Sequence, residues 1–179
     1  MIDFARVMFI STILVCSLYQ SLVFASQPEH STLRRGAFVY QSYCSGCHAL
    51  RYQPADERPF SSSLMGQDAQ HWFGKVPPDL SLIVREKGAS WLQAYLRGFY
   101  NDSTRPFGTN NHITPWVVMP DVFASLREDH PVQFNQSVDD LVHYLSYVAE
   151  PVQWSRKRLG CFVLCFLVIF LGIVYRLSQ

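Results

Sequence analysis

The residues with the clearest chemistry are Cys44-Ser45-Gly46-Cys47-His48. Two thiols separated by two residues and followed at once by an imidazole match the pattern for covalent haem attachment. Each thiol can add to a vinyl group of the porphyrin, and the adjacent His48 is then held where a ring nitrogen can ligate iron from one face. The competing uses of such a pair fit less well. A thioredoxin-like redox pair belongs in a βαβ setting that the flanking sequence lacks. A zinc site needs a second ligand pair at comparable spacing, and none follows. A two-residue gap closes too small a loop to staple a domain, so a structural disulfide has little to offer.

For the other face of the iron, the middle of the chain offers Met65, Met119, His30, His71, His112, His130 and His143. Met65 follows His48 by 17 residues, too near in chain to cross easily to the opposite haem face. His143 falls within a predicted helix and reads as a surface or packed residue. Met119 lies 71 residues beyond His48 in an irregular stretch bracketed by Pro115 and Pro120. Chain distance favours Met119, with a thioether packed in the core as the alternative. A thioether is a soft ligand that raises the haem potential relative to nitrogen ligation and fills the sixth position. The chemistry implied is electron transfer, with no substrate chemistry at iron.

These groups must be positioned by few elements. Leu33, Ala37 and Tyr40 predict a helix over 31–43 that leads straight into the cysteine pair. Residues 53–79, with Pro54, Pro59, Pro77, Pro78 and three consecutive serines, read as loop. Asp79 is expected to cap a short helix ending at Gly88, and Ser90 a second one through Trp91, Leu92, Tyr95, Leu96 and Phe99. Residues 101–120 read as irregular. Ser137 is expected to start the strongest helix, with Asp140 in a loose capping box and Val138, Leu141, Val142, Leu145 and Val148 on one face until Pro151. Few helices, long loops and no hairpin signal predict an all-α domain. Long ordered loops need an internal support, which a large apolar cofactor supplies.

The chain has 179 residues, 49% of them hydrophobic and only 16% charged, because apolar residues concentrate at both ends. Between the ends about 130 residues remain, enough for one domain. Residues 26–155 hold ten Lys and Arg against thirteen Asp and Glu, a net of −3, which excludes a nucleic-acid binder relying on a basic surface. Residues 1–25, with Arg6 ahead of an apolar run ending Val23-Phe24-Ala25, read as a signal peptide cleaved after Ala25; an uncleaved anchor is the alternative, and either exports the domain. Residues 26–155 then form the exported domain and 156–179 a membrane anchor. Leu159 to Tyr175 carry no charge, near the lower limit for a span. Arg156, Lys157 and Arg158 precede this run, a bias that alone puts that flank in the cytoplasm. It opposes the signal peptide, and export by the first segment dominates. Cys161 and Cys165, at i and i+4, read as small apolar packing residues.

Beyond the haem motif the chain resembles the cytochrome c1 family, the membrane-anchored haem subunits of ubiquinol:cytochrome c oxidoreductase (the bc1 complex), and its compact bacterial members most. The resemblance covers residues 33–158. It rests on Arg35-Gly36-Ala37, Trp72-Phe73-Gly74, Pro77-Pro78-Asp79-Leu80-Ser81, Ile83-Val84-Arg85, Tyr95-Leu96-Arg97, Arg105-Pro106, Asn110-Asn111, Val118-Met119-Pro120, Glu150-Pro151 and Arg156-Lys157-Arg158. It implies a fold like class I cytochrome c and one haem c held by Cys44 and Cys47, with His48 and Met119 axial and Arg85 pairing a haem propionate. It further implies electrons arriving from a Rieske iron-sulfur protein and leaving to a cytochrome c, cytochrome b alongside, and a bacterial inner membrane with the haem domain on the periplasmic side. The Arg-Lys-Arg stretch on the exported side is usual in the family, which eases the charge conflict. Two features depart from the family pattern. Only 28 residues separate His48 from Pro77, and His112-Ile113-Thr114-Pro115-Trp116 replaces the Phe-Pro-Gly common before the ligand methionine. A stand-alone tethered cytochrome serving another oxidase or reductase and a haem-free thiol-disulfide protein are the competing readings.

Overall fold

The computed structural model describes residues 14, 17, 29–52 and 66–178. Met65 and the expected cleavage point after Ala25 lie outside them. Two compact units are distinguished, one of residues 28–151 and another that contains residues 152–179.

The first unit is built on two helices in close contact. Helix α1 (His30–Tyr43) buries Gly36, Val39 and Tyr40 against α6 (Pro131–Ala149). The approach is set by Gly36, where an added Cβ would overlap the Asp140 carbonyl oxygen and come within 2.6 Å of Tyr144 Cβ. Beside this contact Arg35 makes a two-pronged ion pair with Asp140, Nε to Oδ2 at 2.6 Å and Nη2 to Oδ1 at 3.0 Å. Asp140 is buried, and the paired hydrogen bonds supply what water would otherwise give its carboxylate. The expected capping box is thereby corrected. Helix α6 begins at Pro131, where a missing N–H costs nothing, so Ser137 lies inside it and Asp140 serves the α1 contact. Its expected apolar face holds: Val138, Leu141, Val142, Leu145 and Val148 are all buried.

Between α1 and α6 run the short elements α2 (Gly66–Phe73), α3 (Ile83–Lys87), α4 (Ala89–Arg97) and α5 (Ala124–Asp129). Helix α2 occupies part of the stretch read as loop. Gly88 divides α3 from α4 at φ 92°, a conformation that a Cβ disfavours, and α4 starts at Ala89 with no side-chain cap from Ser90. Arg97 fixes α4 to α6 through Asp139 Oδ1 at 2.7 Å and Asn135 Oδ1 at 3.1 Å. Helix α4 ends at Arg97, short of the expected Phe99, which instead opens β1 (Phe99–Asn101); β1 pairs antiparallel with β2 (Thr109–Asn111), inside the segment read as irregular, with Tyr100 opposite Asn110. Three residues per strand are too few to show alternation, and Gly108, at φ 67°, is the turn residue nearest them. The unit is mostly helical, as expected.

In the second unit α7 (Gln153–Leu177) is 25 residues long with a mean hydropathy of 2.4 over its most apolar window. At ~1.5 Å per residue that length exceeds the ~30 Å hydrocarbon core of a bilayer. Its side chains are almost all exposed, as a lipid-facing helix requires. Lys157 Nζ sits 4.8 Å from the centre of the Trp154 ring, a pairing suited to the headgroup region.

The close approach at Gly36 generates a prediction. Gly36→Ala forces α1 off α6 and should destabilise the unit by about 1–3 kcal/mol. A chemical-denaturation midpoint of the detergent-solubilised chain that does not move would remove this contact as the fold's closest constraint.

Candidate haem site

The haem motif is a turn hung from the end of α1. Cys44 N and Ser45 N both donate to Tyr40 O, at 2.9 and 3.0 Å, and His48 N donates to Cys44 O at 2.9 Å. Tyr40, fully buried in the α1–α6 contact, donates its hydroxyl to the His48 carbonyl at 2.7 Å. Residues 48–52 then run beside residues 78–81. Leu80 N donates to Ala49 O at 3.0 Å, Arg51 N to Asp79 Oδ2 at 3.2 Å, and Tyr52 N to Ser81 Oγ at 3.1 Å. Asp79 Oδ1 also accepts from Ser81 N at 2.7 Å, so Asp79 ties these strands of chain together where a helix cap was expected.

This arrangement orients His48. Its Nδ1 lies 2.7 Å from the Pro78 carbonyl, which can only accept, so Nδ1 carries the hydrogen and Nε2 keeps its lone pair. Burial pulls the imidazole pKa below its ordinary value, the Pro78 carbonyl working the other way. Neutral imidazole is the form that ligates a metal. The other five histidines, His30, His71, His112, His130 and His143, are exposed.

Cys44 is buried and Cys47 partly so, both as free thiols. Burial pushes the Cys44 thiol up to about 12. A thiol held protonated is a poor nucleophile.

Met119 is half-buried, and the Tyr95 hydroxyl donates to its Sδ at 3.6 Å. Tyr95 is held by Trp91, stacked at 5.1 Å, and by the edge of Phe99 at 5.3 Å. Burial raises its hydroxyl to about 12, so it remains a donor throughout the physiological range. The segment before Met119 is organised by two buried amides. Asn110 Oδ1 accepts from Trp116 N at 2.9 Å, Asn111 Oδ1 accepts from Ile113 N at 2.8 Å, and Asn111 Nδ2 reaches Tyr95 O at 2.7 Å. The two halves meet in one core, since the ring of Tyr43, just before Cys44, lies 4.7 Å from that of Phe123, just after Met119.

Arg85 is exposed on α3 and makes no hydrogen bond or ion pair among the described residues. The contributions of Tyr40, the Pro78 carbonyl and the Tyr95 hydroxyl were not read from sequence. Tyr40 and Tyr95 each left a signal, a polar-tipped aromatic on the apolar face of a predicted helix.

The residues fit a covalent haem: two thiols one turn apart, a buried imidazole with one nitrogen free, and a half-buried thioether in an aromatic cluster. Independent of that motif, the family model described as the Cytochrome C1 family matches residues 53–179, all of them beyond His48. Cytochrome c1 of Allochromatium vinosum is 30% identical to the chain, over 84% of it and 83% of that protein. The ammonia monooxygenase gamma subunit of Nitrosomonas europaea is also 30% identical, over 84% of the chain and 82% of that protein. Cytochrome b/c1 of Bradyrhizobium diazoefficiens is 25% identical over 82% of the chain and 32% of its own length. An electron-transfer cytochrome carrying covalent haem c, with one membrane-spanning helix among its described residues, is what the motif, α7 and these relatives describe together, and the chain belongs to the cytochrome c1 family.

Proposed function

We propose that Cys44 and Cys47 would hold the haem by thioether bonds, that His48 Nε2 and Met119 Sδ would ligate its iron, and that Arg85 would be free to pair a propionate. The observation that carries this reading is the buried His48 ring, committed through Nδ1 to Pro78 O at 2.7 Å and free at Nε2. The bound haem supplies a one-electron couple. The chain's own residues do the rest. Pro78 and Tyr40 set the plane and position of His48, Tyr95 polarises the Met119 sulfur, and the aromatic core excludes water. With His48 and Met119 both holding it, the haem iron would have no position left for a substrate, which leaves electron carriage as the role.

In this reading the electron comes from a Rieske iron-sulfur protein and passes to a cytochrome c, within a bc1 complex where cytochrome b is the neighbour of α7. The relative named cytochrome b/c1 supports that neighbourhood. The haem domain lies on the periplasmic side of a bacterial inner membrane and α7 runs inward, with Arg156, Lys157 and Arg158 among the lipid headgroups. The signal peptide over 1–25 delivers residues 26–155 to that side, and 156–179 anchors them.

Replacing Cys44 and Cys47 together by Ala should abolish the haem stain that survives denaturing electrophoresis; haem still attached would refute the thioethers. Met119→Leu should open the sixth position and lower the midpoint potential, whereas Met65→Leu should do neither. Tyr95→Phe should lower the potential by less, at most about 60 mV, the one-electron equivalent of a hydrogen bond worth about 1.4 kcal/mol. A rise on Tyr95→Phe would show that the hydroxyl does not draw electron density from the sulfur. Truncation after Ser155 should leave a haem-loaded domain that quinol no longer reduces in membranes, while protease added to intact spheroplasts should digest that domain in the full chain. A protected domain reverses the topology. Quinol-dependent reduction surviving the truncation, or purification without cytochrome b and a Rieske protein, favours a free carrier.

A further inference from the structure

The least comfortable backbone in the first unit is three residues before Met119. Trp116 adopts φ 67° and is the only residue other than glycine with positive φ among the described residues. A bulky side chain in the left-handed region is strained, and such a conformation persists only where its surroundings impose it. Packing does not impose it here, because the Trp116 side chain is 73% exposed.

What holds Trp116 is polar and acts on both sides of its backbone. Its N–H donates to Asn110 Oδ1 at 2.9 Å. Its carbonyl accepts from Arg105 Nη2 at 3.0 Å, and the same nitrogen reaches the Val117 carbonyl at 3.3 Å. The guanidinium also lies over the indole, 5.1 Å from the ring centre. Arg105 is itself fixed in the β1–β2 turn, its N–H donating to Asp102 O at 3.1 Å and its carbonyl accepting from Gly108 N at 3.0 Å. Asp102 in turn accepts from Asn110 Nδ2 at 3.0 Å, which closes the frame. Stability alone explains Arg105 poorly, since its Nε is buried with no partner among the described residues, a cost that offsets much of what the two carbonyl contacts contribute.

We propose that Arg105 is the positioning residue for Met119: by clamping the carbonyls of Trp116 and Val117 it holds the strained turn that delivers the thioether to the iron. This rests on Met119 being the axial ligand, as argued above. Without the clamp Trp116 relaxes to negative φ, and the chain three residues on no longer places the sulfur in register. The fraction of molecules with an open sixth position then rises.

The test uses the full-length, haem-loaded protein in detergent. Two quantities are read: the far-red charge-transfer band between methionine sulfur and ferric iron, and carbon monoxide binding by the ferrous form. Arg105→Leu should weaken the band and raise apparent carbon monoxide affinity by about tenfold, the population change expected from losing one or two hydrogen bonds. Arg105→Lys, which keeps the charge and one donor, should fall between, and covers the case in which Arg105→Leu does not accumulate. Arg34→Met, which removes an exposed guanidinium on α1, should leave both readings at the parental value. Trp116→Gly removes the strain that the clamp opposes, so Arg105→Leu should change both readings less in that background. If the parent itself lacks the band, the Met119 assignment fails and this inference with it. If the parent has the band and neither Arg105→Leu nor Arg105→Lys differs from it, the inference alone is overturned. An equal effect of Arg105→Leu with Trp or Gly at 116 overturns it too.

Discussion

The hydrogen bond between His48 Nδ1 and the Pro78 carbonyl, 2.7 Å long, is the contact on which the rest of the site depends. It decides which imidazole nitrogen carries a hydrogen and which keeps its lone pair. A carbonyl can hold a ring in this way only if it is itself immobile, and Pro77 and Pro78 have φ locked by their rings. The residues that follow, Asp79 to Ser81, tie back to 49–52 through side chain and backbone, so histidine and carbonyl belong to one rigid body. The Pro-Pro-Asp-Leu-Ser segment therefore has a mechanical meaning: it is the shelf on which the haem-attachment turn rests.

That shelf is coupled to the core through Tyr40. Its ring sits between α1 and α6, 6.2 Å from the ring of Tyr144, while its hydroxyl holds the His48 carbonyl. The close crossing at Gly36 sets where Tyr40 stands, because that residue lies one turn further along the same helix face. Asp140, buried and paired with Arg35, locks the crossing against sliding. Packing between two long helices and the orientation of a small ring are thus one mechanical problem, which explains how a domain with so much loop can present ligands accurately.

On the opposite side the means are different. Few long elements reach Met119, so its segment is ordered by side-chain amides, by a guanidinium and by aromatic stacking around Tyr95. Polar frames of this kind hold a loop without a regular backbone ladder, because each amide side chain replaces a main-chain partner. The two candidate ligands are thus held by different means: His48 hangs from the end of α1 against Pro78, and Met119 lies in a loop beside Tyr95. Helix α7 belongs to a separate unit, and its exposed apolar surface is that of a segment meant for lipid or for another membrane helix.

Much of this was legible in the residues themselves. Two cysteines and a histidine at fixed spacing carry their chemistry wherever they occur, since the spacing is the geometry. The apolar periodicities that announced α1 and the later half of α6, and the uncharged run that announced α7, are likewise local. Tertiary contacts decided what local pattern could not. Ser137 and Asp140 have the form of a helix start, yet Pro131 begins α6 earlier and Asp140 is drawn to Arg35, 105 positions away in sequence. The β1–β2 pair escaped notice because strands of three residues are too short to show a period. Nothing near His48 in sequence names Pro78 as its partner, and nothing near Met119 names Tyr95 or Arg105. The types and spacing of residues determined the cofactor chemistry, because that chemistry is written in covalent neighbours. Folding alone decided which nitrogen is free, which sulfur is hydrogen-bonded and how the intervening loops are held, because those depend on groups that meet only in space.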